Sequence, residues 1–506
     1  MNARIQVFDP QHRDRLFIGG EWVRPASASL TGGVGGKTEW GLARAGGGRT
    51  GEVPRAASAA RTAFAEGPWP RMSHEERAEY LRAIAAAIRR REEKFATIQS
   101  RQMGILYKEA PYHSIWSAEQ YDYFADKAVE FPFVERRVAQ DGGKLSLLVR
   151  EPVGVVGAII PWNGPVTLIA TKLAPALLAG CTFVLRGAPE GPGEALLMAD
   201  IADEVGLPPG VLSVVIAGQE ASEALVRDPR VDKIVFTGST TVGRKIASTM
   251  GDRIGRVTLE LGGKCAALIL DDYDIGEAAV KLASSGVRMT GQSCSSLTRI
   301  IVSRSRHDAF VEALSAEFAA VRVGDPFDPE IGMGPLASSR QRETVERYLA
   351  AGKRGGATLA TGGGRPRDLD RGFFVEPTVF ANVDNSSKIA QEEIFGPVLC
   401  VIPADDERHA VDIANDSIYG LSASVFSHDI EKVYDIARRL RAGTVGHNGP
   451  RSDFGIGFGG FKQSGIGRDG GDEGLLGYLE SKAVILDEEP ARFRTDSSTS
   501  IEGASA

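Results

Sequence analysis

The chain has 506 residues, more than one hydrophobic core usually supports, so two or three domains are expected, with no need for disulfide staples. It is 42% hydrophobic and 25% charged with a net charge of −7, and its Lys and Arg are spread rather than clustered, which argues against a nucleic-acid surface. No stretch approaches the roughly 18 uninterrupted apolar residues of a membrane helix, and the opening MNARIQVFDPQHRDRLF lacks the apolar run of a secretion signal, so a cytoplasmic location is expected.

In chain order, the segment TGGVGGKTEWGLARAGGGRTGEV comes first, with nine glycines between Gly32 and Gly51. It has neither strand nor helix periodicity and reads as a loop or a damaged domain edge. SHEERAEYLRAIAAAIRRREEKFATIQSRQMG has the periodicity of one long helix, expected to pack on the outside of the first α/β series. That series begins at about residue 153, where short β-branched runs alternate with helix-length segments, the pattern of a parallel sheet covered by helices. The strand candidates are VGVVGAII, FVLRG, VLSVVI and KIVFT; the helix candidates are VTLIATKLAPALLAG, PGEALLMADIADEVG, QEASEALVRD and TTVGRKIASTMG. A second α/β series runs from CAALILDDYD to ASVFSHDIEKVYDIARRLRAGTVGHN. Two such units in succession imply a cleft between them, the usual meeting place of cofactor and substrate. The tail DEEPARFRTDSSTSIEGASA is polar, rich in small residues and expected to be disordered.

Cys181, Cys265 and Cys400 lie in apolar runs and read as buried small hydrophobes. Cys294 differs: TGQSCSSLTR surrounds it with small polar residues that leave a thiol reachable. Glu260 ends the strand candidate VTLELGGK, Cys294 comes thirty-four residues later, and Glu393 and Phe395 lie in QEEIFGPV. In this order, with PWNGP upstream and GFGGFKQSGIGR downstream, the chain resembles the aldehyde dehydrogenase superfamily, of the NAD(P)-dependent, hydrolytic type, from about Leu16 to Ile485.

The chemistry agrees with that resemblance. A planar carbonyl carbon is a poor hydride donor, so a thiolate must first add to the aldehyde, and Cys294 is the candidate nucleophile. Nearby helix dipoles and cofactor charge are expected to favour the thiolate. The resemblance implies that the Asn163 amide and the Cys294 backbone N–H stabilise the alkoxide, where one donor can contribute about 3 kcal/mol. It also implies that Glu260 activates water against the thioester, which favours hydrolysis over acyl transfer to coenzyme A. Lys172 is carried over as a proton-relay partner; Asp469, where relatives often have a glutamate, is a shorter and doubtful one.

KIVFTGSTTVG ends a strand and opens a helix, placing Gly238 and Ser239 where free N–H groups suit a pyrophosphate. The resemblance adds Ile159, Trp162, Arg186, Gly218, Leu261, Glu393 and Phe395 to the cofactor side. Pro189 stands where the family usually has a carboxylate against the ribose 2′-hydroxyl, and Arg186 replaces a lysine, so NAD is expected and NADP stays open. On the substrate side Gly164 stands where many relatives have an aromatic ring, and Ser293 and Ser295 flank the nucleophile. Phe458, with His447 and Asn448, falls in the family's substrate-anchoring loop. A bulky aldehyde, cyclic, aromatic or terpenoid, is therefore expected, and no metal.

The fold class implied is α/β: two doubly wound domains, a Rossmann-like cofactor domain and a catalytic domain, plus a small β oligomerisation arm. The cofactor domain is assigned to 1–132 and 152–262, the catalytic domain to 263–447, the arm to 133–151 and 478–490, the substrate-anchoring loop to 448–477 and the tail to 491–506. A protruding hairpin within RVAQDGGKLSLLVREP exposes strand edges that a second copy would satisfy, so a homodimer or homotetramer is expected. Two rivals stand beside this reading: a binding protein that keeps the fold without turnover, and a family member that makes acyl-coenzyme A or acts as an esterase.

Overall fold

The structure is a computed structural model that describes residues 14–25, 30–34, 41–46, 51–140 and 143–491. Its first sheet has eight strands in the order Gly465–Ile466, Arg256–Glu260, Lys233–Thr237, Val155–Ile159, Thr182–Gly187, Leu212–Ile216, Leu16–Ile18, Glu21–Val23. The five from Arg256–Glu260 to Leu212–Ile216 run parallel, and antiparallel strands close both edges. Val155–Ile159, Leu212–Ile216 and Lys233–Thr237 are buried along their whole length, because helices cover both faces. That is why they read as unbroken apolar runs and not as alternating strands.

The second sheet has seven strands in the order Thr358–Thr361, Thr378–Ala381, Val398–Ala404, Leu297–Ser303, Cys265–Ile269, Ser422–Phe426, Thr444–His447. All its pairs are parallel except the first. A third, antiparallel sheet joins Leu479–Leu486, Leu145–Pro152 and Val134–Arg137. The chain is thus a mixed α/β protein with two parallel-sheet units and a small β arm. Among the described residues no helix is long and apolar enough to cross a membrane, and no group of three or more His, Cys, Asp or Glu could hold a metal ion.

Two local expectations are corrected. The long helix after Ser73 is two helices, His74–Arg89 and Glu92–Met103, broken at Arg91 (φ −113, ψ 13). Arg90 and Arg91 both turn to Glu204 there, an ion-pair arrangement that helical periodicity does not reveal. In the glycine-rich segment, Leu30–Val34 and Gly41–Gly46 pair as an antiparallel ribbon with a register shift at Gly33/Val34. Glycine has no side chain to alternate, so the period-two signal vanishes although the backbone still pairs. The tail assigned to 491–506 lies outside the described residues beyond 491.

Candidate active site

The topology brings the carboxyl edge of the first sheet to the amino edge of the second. Trp162 and Asn163 follow strand Val155–Ile159, Arg186 lies at the end of Thr182–Gly187, Gly218 follows Leu212–Ile216, Gly238 and Ser239 follow Lys233–Thr237, and Glu260 ends Arg256–Glu260. From Val155–Ile159 the chain moves first to one side of the sheet and later to the other, so its neighbour Lys233–Thr237 marks the switch point where crevices open. From the second sheet, Gly263 precedes Cys265–Ile269, Cys294 precedes Leu297–Ser303, and Glu393 precedes Val398–Ala404.

Cys294 is half-buried. Its carbonyl sits against Gly263, where a Cβ would come within 2.3 Å of the oxygen, so only glycine lets these segments meet. The Gly263 N–H donates to Glu393 Oε1 at 3.2 Å, and the Cys265 thiol donates to the Cys294 carbonyl at 3.5 Å. Asn163 Nδ2 donates to the Gln292 carbonyl at 3.1 Å, bridging the two sheets two residues from the thiol. Burial pushes the Cys294 thiol well above its ordinary range, and the charges of Glu393, Cys265 and Glu260 add to the rise. Burial and the neighbouring acidic groups thus disfavour the thiolate in the protein alone, without the cofactor charge that is also expected to favour it. Burial also raises Glu393 to about 7, against the Gly263 N–H and Lys264.

Glu260 is buried, and neither carboxyl oxygen has a hydrogen-bond partner. Its room comes from Gly459, where a Cβ would lie 2.7 Å from Glu260 Oε1. Burial raises its pKa well above the usual carboxylate range; Asp469 adds to this, while Lys172 and Arg468 oppose it. Lys172 and Asp469 form a buried ion pair, 0% and 2% exposed. Removing one partner of such a pair costs about 3–5 kcal/mol, because the other charge is left in a poor solvent. The shorter Asp469 therefore reaches Lys172 after all, held by mutual backbone hydrogen bonds with Phe458 at 2.6 and 2.8 Å.

Around the thiol, a Cβ on Gly164 would meet only the Thr167 hydroxyl within 4 Å, at 3.1 Å, so the space beside Asn163 is open. Ser293 and Ser295 share a hydroxyl contact of 3.3 Å. Phe458 packs in the same apolar cluster as Cys294 and stacks on Phe454 at 4.8 Å, which meets Trp116 edge-on at 4.8 Å. Sequence reasoning missed Trp116 and Phe454, since they lie on distant segments and follow no common spacing. His447 and Asn448 are not part of this group: both side chains bond the Ser427 carbonyl, at 3.0 and 3.1 Å, beyond the carboxyl end of strand Thr444–His447.

Along the crevice, Trp162 and Phe395 pack edge-on at 5.6 Å. Phe395 has φ +59, and its carbonyl accepts from Gln341 Nε2 at 2.7 Å. Leu261 packs on Gly243, Ile159 is buried, and Gly218 is exposed. Ser239 caps helix Thr240–Asp252, accepting from the Val242 N–H at 3.4 Å. Arg186 is half-buried, its Nε has no partner, and burial lowers its pKa to about 10. A helix amino end and a guanidinium on one sheet edge fit a dinucleotide, whose phosphates and ribose supply acceptors.

Residues 37–484 match the family model described as "Aldehyde dehydrogenase family". The chain is 42% identical over 481 residues to geranial dehydrogenase of Castellaniella defragrans, covering 95% of this chain and 99% of that protein. It is 41% identical over 479 residues to 3-succinoylsemialdehyde-pyridine dehydrogenase of a Pseudomonas species, covering 93% and 98%. A Mycobacterium tuberculosis aldehyde dehydrogenase solved with NAD+ superposes with a TM-score of 0.91 at 44% identity, covering 94% of this chain and 98% of that one. The chain therefore belongs to the aldehyde dehydrogenase family, as an NAD-dependent enzyme that oxidises aldehydes to carboxylic acids.

Proposed function

We propose that the protein oxidises a bulky, largely apolar aldehyde through a thioester on Cys294, with Glu260 activating the water that releases the acid. The observation that carries this reading is the unpartnered, buried Glu260 carboxyl within electrostatic reach of the Cys294 thiol. In this reading Cys294 gives its proton to solvent and its sulfur adds to the carbonyl carbon; the Asn163 amide and the Cys294 N–H donate to the oxygen that becomes negative, and collapse of that alkoxide expels hydride from the carbon and leaves the thioester. Bound NAD supplies the hydride acceptor and a positive charge. Glu260 then takes a proton from water as the water attacks the thioester and so becomes neutral, with Cys294 leaving as the thiolate; in the pair beside it Asp469 favours that protonation while Lys172 favours the carboxylate that accepts the proton. Trp162 and Phe395 hold one side of the crevice apolar, while Glu393 presents a carboxylate to hydroxyl donors.

The substrate class rests on Gly164 and the aromatic series Trp116, Phe454 and Phe458, which together offer an open, apolar approach to Cys294. Two of the relatives are named for geranial and for a pyridine-bearing semialdehyde, both larger than acetaldehyde. With NAD and reduced-nicotinamide absorbance as readout, kcat/KM is expected to rise from short to bulky aldehydes. Gly164→Phe should lower it at least about tenfold for bulky substrates and less than about threefold for short ones. A steady decline of kcat/KM with bulk in the unaltered enzyme refutes the substrate class.

NADP is accepted in this reading as a second cofactor, because Arg186 places a guanidinium at the end of strand Thr182–Gly187 and Pro189 offers no carboxylate to repel a 2′-phosphate. Arg186→Ala should raise KM for NADP about tenfold, the effect of one lost charge-assisted hydrogen bond, and KM for NAD by no more than about threefold. Equal losses with both cofactors would remove the case for phosphate recognition at Arg186.

A further inference from the structure

We propose that Glu194 is a positioning residue for the oxidation, capping from a neighbouring helix the helix that begins beside Asn163 and carries Lys172. Helix Pro165–Ala179 starts from Gly164, which has no side chain to cap it. Pro165 has no N–H, and the Leu168 N–H bonds back to the Gly164 carbonyl at 3.0 Å. The Val166 N–H needs another acceptor, and Glu194 Oε2 provides it at 2.6 Å. Glu194 is 1% exposed and lies in the first turn of a second helix, Gly193–Glu204, so its carboxyl is flanked by two helix amino ends. Both ends favour an electron-rich oxygen.

The surroundings hold this carboxyl in place. The Gly193 N–H of its own helix donates to Gln102 Oε1 at 3.3 Å. Glu194 Oε1 has no aligned partner, and burial raises the group to about 8 against the Val166 N–H and the Gln99 side chain. Its two attachments reach the reaction by short routes. Asn163 lies immediately before Gly164, with its amide on the Gln292 carbonyl at 3.1 Å. Lys172 lies about two turns into the same helix, paired with Asp469 beside Glu260. Displacing the helix start moves an oxyanion donor and the ion pair together, and misplacement of about 1 Å can cost a large factor in rate.

The inference rests on the roles given above to Asn163 and Lys172, and the test separates the two. Glu194→Leu removes the acceptor at similar volume; it is expected to lower kcat about tenfold while KM for NAD stays within about twofold. Glu194→Gln keeps an oxygen for the Val166 N–H and should hold kcat within about threefold. Should the leucine variant not fold, Glu194→Ala is measured in its place. An acceptor-free variant with parental kcat overturns the proposal, as does a glutamine variant that loses as much as it. Asn163→Ala and Lys172→Met are measured alongside. Parental turnover in both rejects the site assignment itself, whereas losses there with no loss at Glu194 reject only the positioning role.

Discussion

Cys294→Ala is expected to lower kcat for aldehyde oxidation at least about ten-thousandfold, since removing a nucleophile removes the covalent path and leaves only binding and polarisation. The loss should come without unfolding. Cys294 is half-buried, its carbonyl rather than its thiol receives the Cys265 hydrogen bond, and the backbone contact with Gly263 does not involve the sulfur. Thermal melting within about 2 °C of the parent, with NAD still quenching protein fluorescence, separates lost chemistry from lost fold. A variant that turns over at even a hundredth of the parental rate refutes covalent catalysis at this position.

Glu260→Gln is expected to act later in the cycle. If Glu260 activates the water that hydrolyses the thioester, the variant still releases a first equivalent of reduced nicotinamide, and steady turnover falls about a hundredfold to a thousandfold. Stopped-flow absorbance reads the burst directly. The pH dependence supplies a second readout. Burial and Asp469 raise the Glu260 pKa well above its ordinary 4.5, so the base is protonated at low pH and the steady rate should climb with pH in the parent but not in the variant. Stability responds in the opposite sense. A raised carboxyl pKa means that the folded state holds a proton the unfolded chain has given up, so stability falls as pH rises above 4.5. The glutamine variant, which cannot ionise, should melt no lower than the parent at alkaline pH. Loss of the burst together with the steady rate would place Glu260 before acyl transfer and overturn its role as the hydrolytic base.

Much of the candidate site is legible in the sequence. Cys294, Glu260 and Glu393 sit in short segments that together carry the family resemblance, and the β-branched runs that form Val155–Ile159 and Lys233–Thr237 announce strands of a sheet covered by helices. What stays hidden depends on partners distant in the chain. At the break, Arg90 and Arg91 meet Glu204, more than a hundred residues away, and the two-residue strand Gly465–Ile466 is too short for any periodicity. Glu194 resembles an ordinary helix-start carboxylate, since only the tertiary arrangement aims it at the Val166 amide of another helix. Asp469 has a side chain short enough to argue against its role, yet its backbone is drawn in by Phe458 far enough to meet Lys172. The Cys294 thiol is the reverse case: its polar neighbours in sequence suggest a reachable group, while burial, with Glu393 and Glu260 contributed by other segments, raises its pKa.

The last segment runs from the site to the small sheet. Gly465–Ile466 is stitched to the strand that ends in Glu260, Asp469 follows within the ion pair, and after one short helix, Gly471–Leu476, the chain enters strand Leu479–Leu486 of the small sheet. The small sheet and the ion pair thus share one short run of chain, with strand Leu479–Leu486 beginning only ten residues after Asp469.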